Sequence, residues 1–173
     1  MLTYILIFYL VFNLIAGYFV VKAYKKYNFE RLSISRLGTK LSPLNKLWNG
    51  LGLINGILIF LFSYQLNIVS GIIIGFCLVI TSVFPWDKYK IIHDLGGLFI
   101  FIFQFVFAVD FLINTQNIYL KLPIALAAVS TAFFVFEVLK KFIKNSNHFP
   151  KHTWAWEWMI YLSYMVFVLI ICL

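Results

Sequence analysis

Long apolar blocks alternate along this chain with short polar breaks. Leu2–Val21, Leu51–Phe84, Ile91–Ile113, Leu122–Leu139 and Trp154–Leu173 are almost free of charge. Four of them have the length of one membrane-crossing helix, about 20 residues. The block Leu51–Phe84 has 34 residues and is broken only by Asn55, Ser63-Tyr64-Gln65, Asn67, Ser70 and Thr81-Ser82. It is either one overlong helix or two spans folded back at Tyr64-Gln65-Leu66-Asn67.

The basic residues decide between these. If the block is a hairpin, the segments 22–49, 85–91 and 140–153 share one side. That side then holds 13 of the 14 basic residues, all but Lys121. A single span would split them 8 against 6. Cytoplasmic loops carry the Lys and Arg excess, so the hairpin is expected. The expected fold is therefore all-α: a polytopic membrane protein with six transmembrane helices and both termini outside the cytoplasm. One transmembrane domain covers 1–173, with spans at roughly 2–21, 50–65, 68–84, 91–113, 122–139 and 154–173, and a basic cytoplasmic loop at 22–49. The first block lacks a basic start and a small-residue cleavage site, so it reads as a retained helix rather than a signal peptide.

Composition agrees. Hydrophobic residues make up 63% of the chain and charged ones 12%, against about 25% charged in soluble domains. So much apolar surface needs lipid to cover it. The net charge of +8 sits in loops between apolar blocks, so it follows from topology and nucleic acid is not an expected partner. Cys77 and Cys172 both fall in apolar blocks and read as buried free thiols. The richness in Ile, Phe, Asn and Lys points to an AT-rich bacterial genome, hence an inner-membrane location.

Several features predict helix packing. Gly52 and Gly56, and Gly71 and Gly75, are small-xxx-small pairs that let helix backbones approach closely, within the bundle or in a homo- or hetero-oligomer. Asn13, Gly17 and Asn55 are positioned to meet neighbouring helices. Ala125, Ala127, Ala128, Ser130, Thr131 and Ala132 make the fifth helix small-sided, and Pro123 suits its start. In the basic loop, Leu32, Ile34, Leu37 and Leu41 recur at mixed spacing, which suits a short amphipathic helix on the membrane surface.

The candidate chemistry gathers on one side. His93, Asp94, Glu137, His148, His152 and Glu157 map to the cytoplasmic ends of spans four to six or the loops beside them. So do all five tryptophans: Trp48, Trp86, Trp154, Trp156 and Trp158. His93, Asp94 and Glu157 are the candidate catalytic residues. His93, His148 and His152 could hold a zinc-type divalent metal that activates water. Pro150 breaks the helix that the His148/His152 spacing would need. Plainer roles exist for each: Asp94 as a helix cap, Glu137 paired with Lys141, tryptophans as interface anchors. Asp110 and Gln104 are polar residues inside the fourth span and candidates for a proton or cation path.

Phe84-Pro85-Trp86-Asp87 followed by His93, together with His152 to Glu157 and Ser163-Tyr164-Met165 in the last helix, is similar to a known group. Over about residues 50–170 the chain resembles small bacterial six-helix membrane proteins of unknown function that are distantly related to the FGF-receptor-activating-protein/DRAM/Sfk family. The basic loop 22–49 departs from that pattern, since eukaryotic members place their larger first loop outside. The resemblance implies membrane lipid handling and singles out His93. The expected function is thus lipid handling at a polar His/Asp/Glu/Trp site on the cytoplasmic interface, and any enzyme activity would be that of a metal-assisted lipid hydrolase or transferase. A small transporter or channel, or a non-catalytic accessory or immunity-type protein, are the alternatives.

Overall fold

The computed structural model describes residues 2–28, 32–65, 67–114, 116, 118–143 and 155–163. They form the α-helices α1 (Leu2–Ala23), α2 (Asn45–Gln65), α3 (Val69–Val83), α4 (Lys90–Asn114), α5 (Ile118–Ile143) and α6 (155–163), with one 3-10 turn at Ile34–Gly38. No strand occurs among the described residues. The protein is all-helical. Of its described helices, α2 and α4 are long and apolar enough to cross a membrane, and Val11–Ala23 and α3 are shorter apolar helices.

The 34-residue apolar block is a hairpin, and a local signal builds its turn. Asn67 has a positive φ of 57°. The Ile68 N–H donates to the Ser63 carbonyl at 2.8 Å and the Asn67 N–H to the Tyr64 carbonyl at 3.2 Å. This pair of bonds is the Schellman closure of a helix C-terminus, which needs a left-handed residue. Asn tolerates that conformation better than any side chain branched at Cβ. Asn67→Val is expected to lower stability by about 1–2 kcal/mol and Asn67→Gly to leave it equal or raised, as read by thermal unfolding in detergent.

Cα proximity divides the chain into two compact units: Met1–Phe12, Asn28–Ile34 and Ala108–Leu173 form one, and Asn13–Tyr27 and Ser35–Phe107 the other. In the second unit, α2 and α3 meet through their glycines. A Cβ on Gly56 would lie 2.8 Å from the Gly75 carbonyl oxygen, and one on Gly75 would lie 2.5 Å from the Phe60 backbone nitrogen. Gly52 faces Ser82 and Gly71 faces Ser63 across the same seam. All four glycines thus pack inside one chain. Asn55 Nδ2 donates to Asn13 Oδ1 at 3.0 Å, tying α1 to α2. Trp48 covers Gly17, and Thr81 sits against Gly96 of α4.

Over residues 32–44 the basic segment after α1 is not the amphipathic surface helix its spacing predicts. It folds as a strap around a five-residue 3-10 turn. Leu37 is fully buried, with Thr39 and Ser42 nearly so. The Thr39 hydroxyl donates to the Arg36 carbonyl at 2.8 Å and Asn49 Nδ2 to the Gly38 carbonyl at 3.0 Å. Apolar positions at mixed spacing fit a short folded turn as well as a helix, and here they anchor the strap.

In the other unit, α5 begins at Ile118 and carries Pro123 inside it, rather than starting there. Of the small residues expected there, Ala127, Ala128, Ser130 and Thr131 are buried, alongside the larger Ile124 and Phe134, while Ala125 is half-buried and Ala132 exposed. Phe133 stacks on Trp156 of α6, with ring centroids 4.9 Å apart and planes within 13°.

Candidate functional site

The step from α3 to α4 builds a connected polar group in the second unit. Pro85 disfavours a helical conformation at the residue before it, and Phe84 sits at φ −108°, ψ 81°, outside the helical region. The Lys88 and Tyr89 N–H groups close back on the Pro85 carbonyl at 3.1 and 3.0 Å. The Phe84 ring meets Tyr89 edge-on at 5.3 Å. The Phe84 carbonyl is thereby turned out of the helix ladder and faces the first turn of α4.

His93 occupies that turn. It is only 9% exposed. Its Nδ1 lies 2.9 Å from the Phe84 carbonyl oxygen and its Nε2 lies 2.9 Å from Ser35 Oγ. A carbonyl oxygen has no proton to give, so Nδ1 carries the hydrogen and donates. In the neutral ring Nε2 is then the acceptor, and the Ser35 hydroxyl donates to it. Residues 58 apart in sequence are so joined in one line: hydroxyl, imidazole, backbone carbonyl.

Basic and aromatic groups occupy neighbouring positions of the strap and of the α3–α4 step. The Arg36 guanidinium lies over the Trp86 ring at 4.1 Å, and Lys90 Nζ is 5.8 Å from the same ring. The Lys40 N–H donates to Asp87 Oδ2 at 3.4 Å. Trp86 is therefore a cation platform at the end of α3.

The other sequence candidates fall differently. Asp94 follows His93 but does not share its face, because successive helical residues are turned about 100° apart. Its side chain is 46% exposed and pairs with Lys90 at i−4, 2.5 Å away. Glu157 belongs to the other unit. It is 9% exposed, and its Oε2 accepts the Ile34 N–H at 2.7 Å. Glu137 pairs with Lys140 at 3.6 Å rather than the expected Lys141, whose side chain lies outside the described residues. Asp110 is exposed and accepts Asn114 Nδ2 at 2.9 Å. Gln104 is half-buried on α4.

His148 and His152 lie outside the described residues, and among the described residues no group of three or more His, Cys, Asp or Glu gathers as a metal site. His93 could accept a metal at Nε2 only by giving up Ser35. Cys77 is buried with a free thiol. Ser35 carried no signal in the sequence. Its part depends on a histidine two helices away, and the only hint was the row of apolar residues around it, which marked the strap as folded.

No family model matches the chain, and neither a curated protein nor a solved structure is similar enough to count as a match.

Proposed function

We propose that this chain is a six-span integral membrane protein of the bacterial inner membrane that handles lipid at a polar site on the cytoplasmic interface, centred on His93. The observation that carries the lipid reading is that a buried, doubly held His93 lies seven residues along the chain from Trp86, whose ring is met by Arg36 and Lys90, at the junction of α3 and α4. Trp rings and basic side chains favour the headgroup layer, and cations there attract anionic lipid.

The membrane reading rests on exposure. In α2 and α4 only 17% of the apolar window is buried within the molecule. The core helix of a soluble protein would be mostly buried. On α4, Ile91, Leu95, Leu98, Ile102, Val106 and Ile113 are all exposed, far more apolar surface than a soluble monomer leaves bare. In a six-span topology a hairpin at Asn67 would hold nearly all basic residues on one side, which supports this reading. The resemblance to the FGF-receptor-activating-protein/DRAM/Sfk family points the same way.

Lipids retained by the full chain through purification in mild detergent test this reading. Mass spectrometry should find bound anionic lipid on the wild type. His93→Gln and His93→Ala should lose it while eluting as folded protein. Wild-type protein that carries no lipid, and takes up none from anionic vesicles, would sink the proposal.

A further inference from the structure

The geometry points to a Ser–His acyl-transfer dyad: we propose that Ser35 is a nucleophile activated by His93, acting on the acyl esters of membrane lipids. This deepens the lipid reading above and rests on it. Three observations carry it. The Ser35 Oγ to His93 Nε2 separation of 2.9 Å lies within the reach required of a nucleophile and its base. The far ring nitrogen is held by the Phe84 carbonyl at 2.9 Å, which fixes the tautomer that leaves Nε2 free to take a proton. A carboxylate does that work in the familiar triads; here a carbonyl turned outward by Pro85 does it. Lastly, the dyad sits where α3 ends at Val83 and α4 starts at Lys90, beside a Trp and cations. In a bilayer that places it between hydrocarbon and headgroups, the depth at which glycerolipid ester carbonyls lie.

The chemistry balances with water as the only co-reactant. The Ser35 Oγ bonds to the ester carbonyl carbon while its proton moves to His93 Nε2. The tetrahedral adduct collapses, the bond to the alcohol oxygen breaks, and that oxygen leaves with the proton from Nε2. Water then gives a proton to Nε2 and attacks the acyl carbon. Ser35 leaves and recovers the proton, and a fatty acid is released. Nδ1–H stays on the Phe84 carbonyl throughout and steadies the imidazolium that forms in each half.

Arg36 adjoins Ser35 in sequence, and its guanidinium stands over Trp86. Lys40 is four residues further along the strap, while Lys90 is already paired with Asp94. The charges of Arg36 and Lys40 favour an anionic glycerophospholipid over a neutral one.

The test uses the purified full chain, a fluorophosphonate probe and vesicles of phosphatidylglycerol. The fluorophosphonate should form its adduct on Ser35, located by peptide mass spectrometry. Labelling, which needs no bound lipid, should fall about 100-fold or more in His93→Gln, the size of a lost general base. Ser35→Ala should abolish labelling and fatty-acid release. Ser35→Cys guards against a variant that simply misfolds: its introduced thiol should react with iodoacetamide faster than in the Ser35→Cys/His93→Gln double variant. An unlabelled Ser35, labelling equally fast without His93, or release that persists in Ser35→Ala would overturn the dyad. If those failures come from protein that still binds lipid, the lipid reading stands alone. If the wild type neither binds nor cleaves lipid, both fall.

Discussion

Gly75→Ala is expected to lower the stability of the purified protein by about 2–3 kcal/mol, and Gly75→Leu by more. A methyl at Gly75 would meet the Phe60 backbone nitrogen at 2.5 Å and the Phe60 Cα at 2.8 Å. These are backbone atoms of α2 and cannot swing aside, so the two helices must part along the seam. That loosens the matching contact at Gly56, whose own Cβ would meet the Val79 backbone nitrogen at 2.8 Å. At Gly50 an added methyl would meet nothing within 4 Å among the described residues, so Gly50→Ala is the control: it should be neutral or slightly stabilising, since alanine is the better helix former by about 1 kcal/mol. Thermal unfolding in one detergent, with all three variants side by side, reads the difference. Equal midpoints for Gly75→Ala and Gly50→Ala would show that the seam is not tight.

Glu157→Met should cost about 1–3 kcal/mol, and Glu157→Gln clearly less. Glu157 Oε2 holds the Ile34 N–H at 2.7 Å across 123 residues of sequence. A half-buried backbone N–H stripped of its acceptor bears its full desolvation penalty, about 1–3 kcal/mol. Methionine nearly fills the glutamate volume but offers no oxygen, so the loss reads the bond rather than a cavity. Glutamine keeps a carbonyl acceptor at the same reach. Equal losses in the two variants would mean that the carboxyl charge, not this bond, holds the segment. The same carboxyl stood out in the sequence as a candidate catalyst. Its bond to the Ile34 amide gives it a structural task.

The contrast between those residues shows what was legible in the chain. The hairpin was, because two independent patterns agreed: polar residues interrupting an apolar run, and a charge distribution that makes sense only if the run folds back. The turn then falls at the predicted Tyr64–Asn67, and α3 and α4 end within a residue of the expected bounds. His93 drew attention through the one-sided gathering of polar residues and through the family resemblance. The partners themselves were not legible. One is a backbone carbonyl, which leaves no trace in residue type. The other is an ordinary serine in a basic loop, set apart only by the fold. Asp94 drew attention by adjacency, and helical geometry turns it away toward Lys90. For Glu157, too, the partner is a main-chain group that no side-chain pattern can announce.

Under the membrane-spanning reading proposed above, the turn at Asn67 also bears on how the chain inserts. Tyr64, Gln65, Leu66 and Asn67 carry no charge, and no Lys, Arg, Asp or Glu lies anywhere between Gly50 and Trp86. Charged side chains at mid-bilayer cost about 2.5–3.5 kcal/mol each during translocon insertion. A hairpin without them can cross as one unit, its tip carrying only amide and phenol groups to the far side. Because its two arms approach closely at Gly56 and Gly75, where backbone atoms meet, their association rests on close packing, which does not depend on water being expelled. On that reading the pair closes inside lipid as it leaves the insertion machinery, before α4 follows.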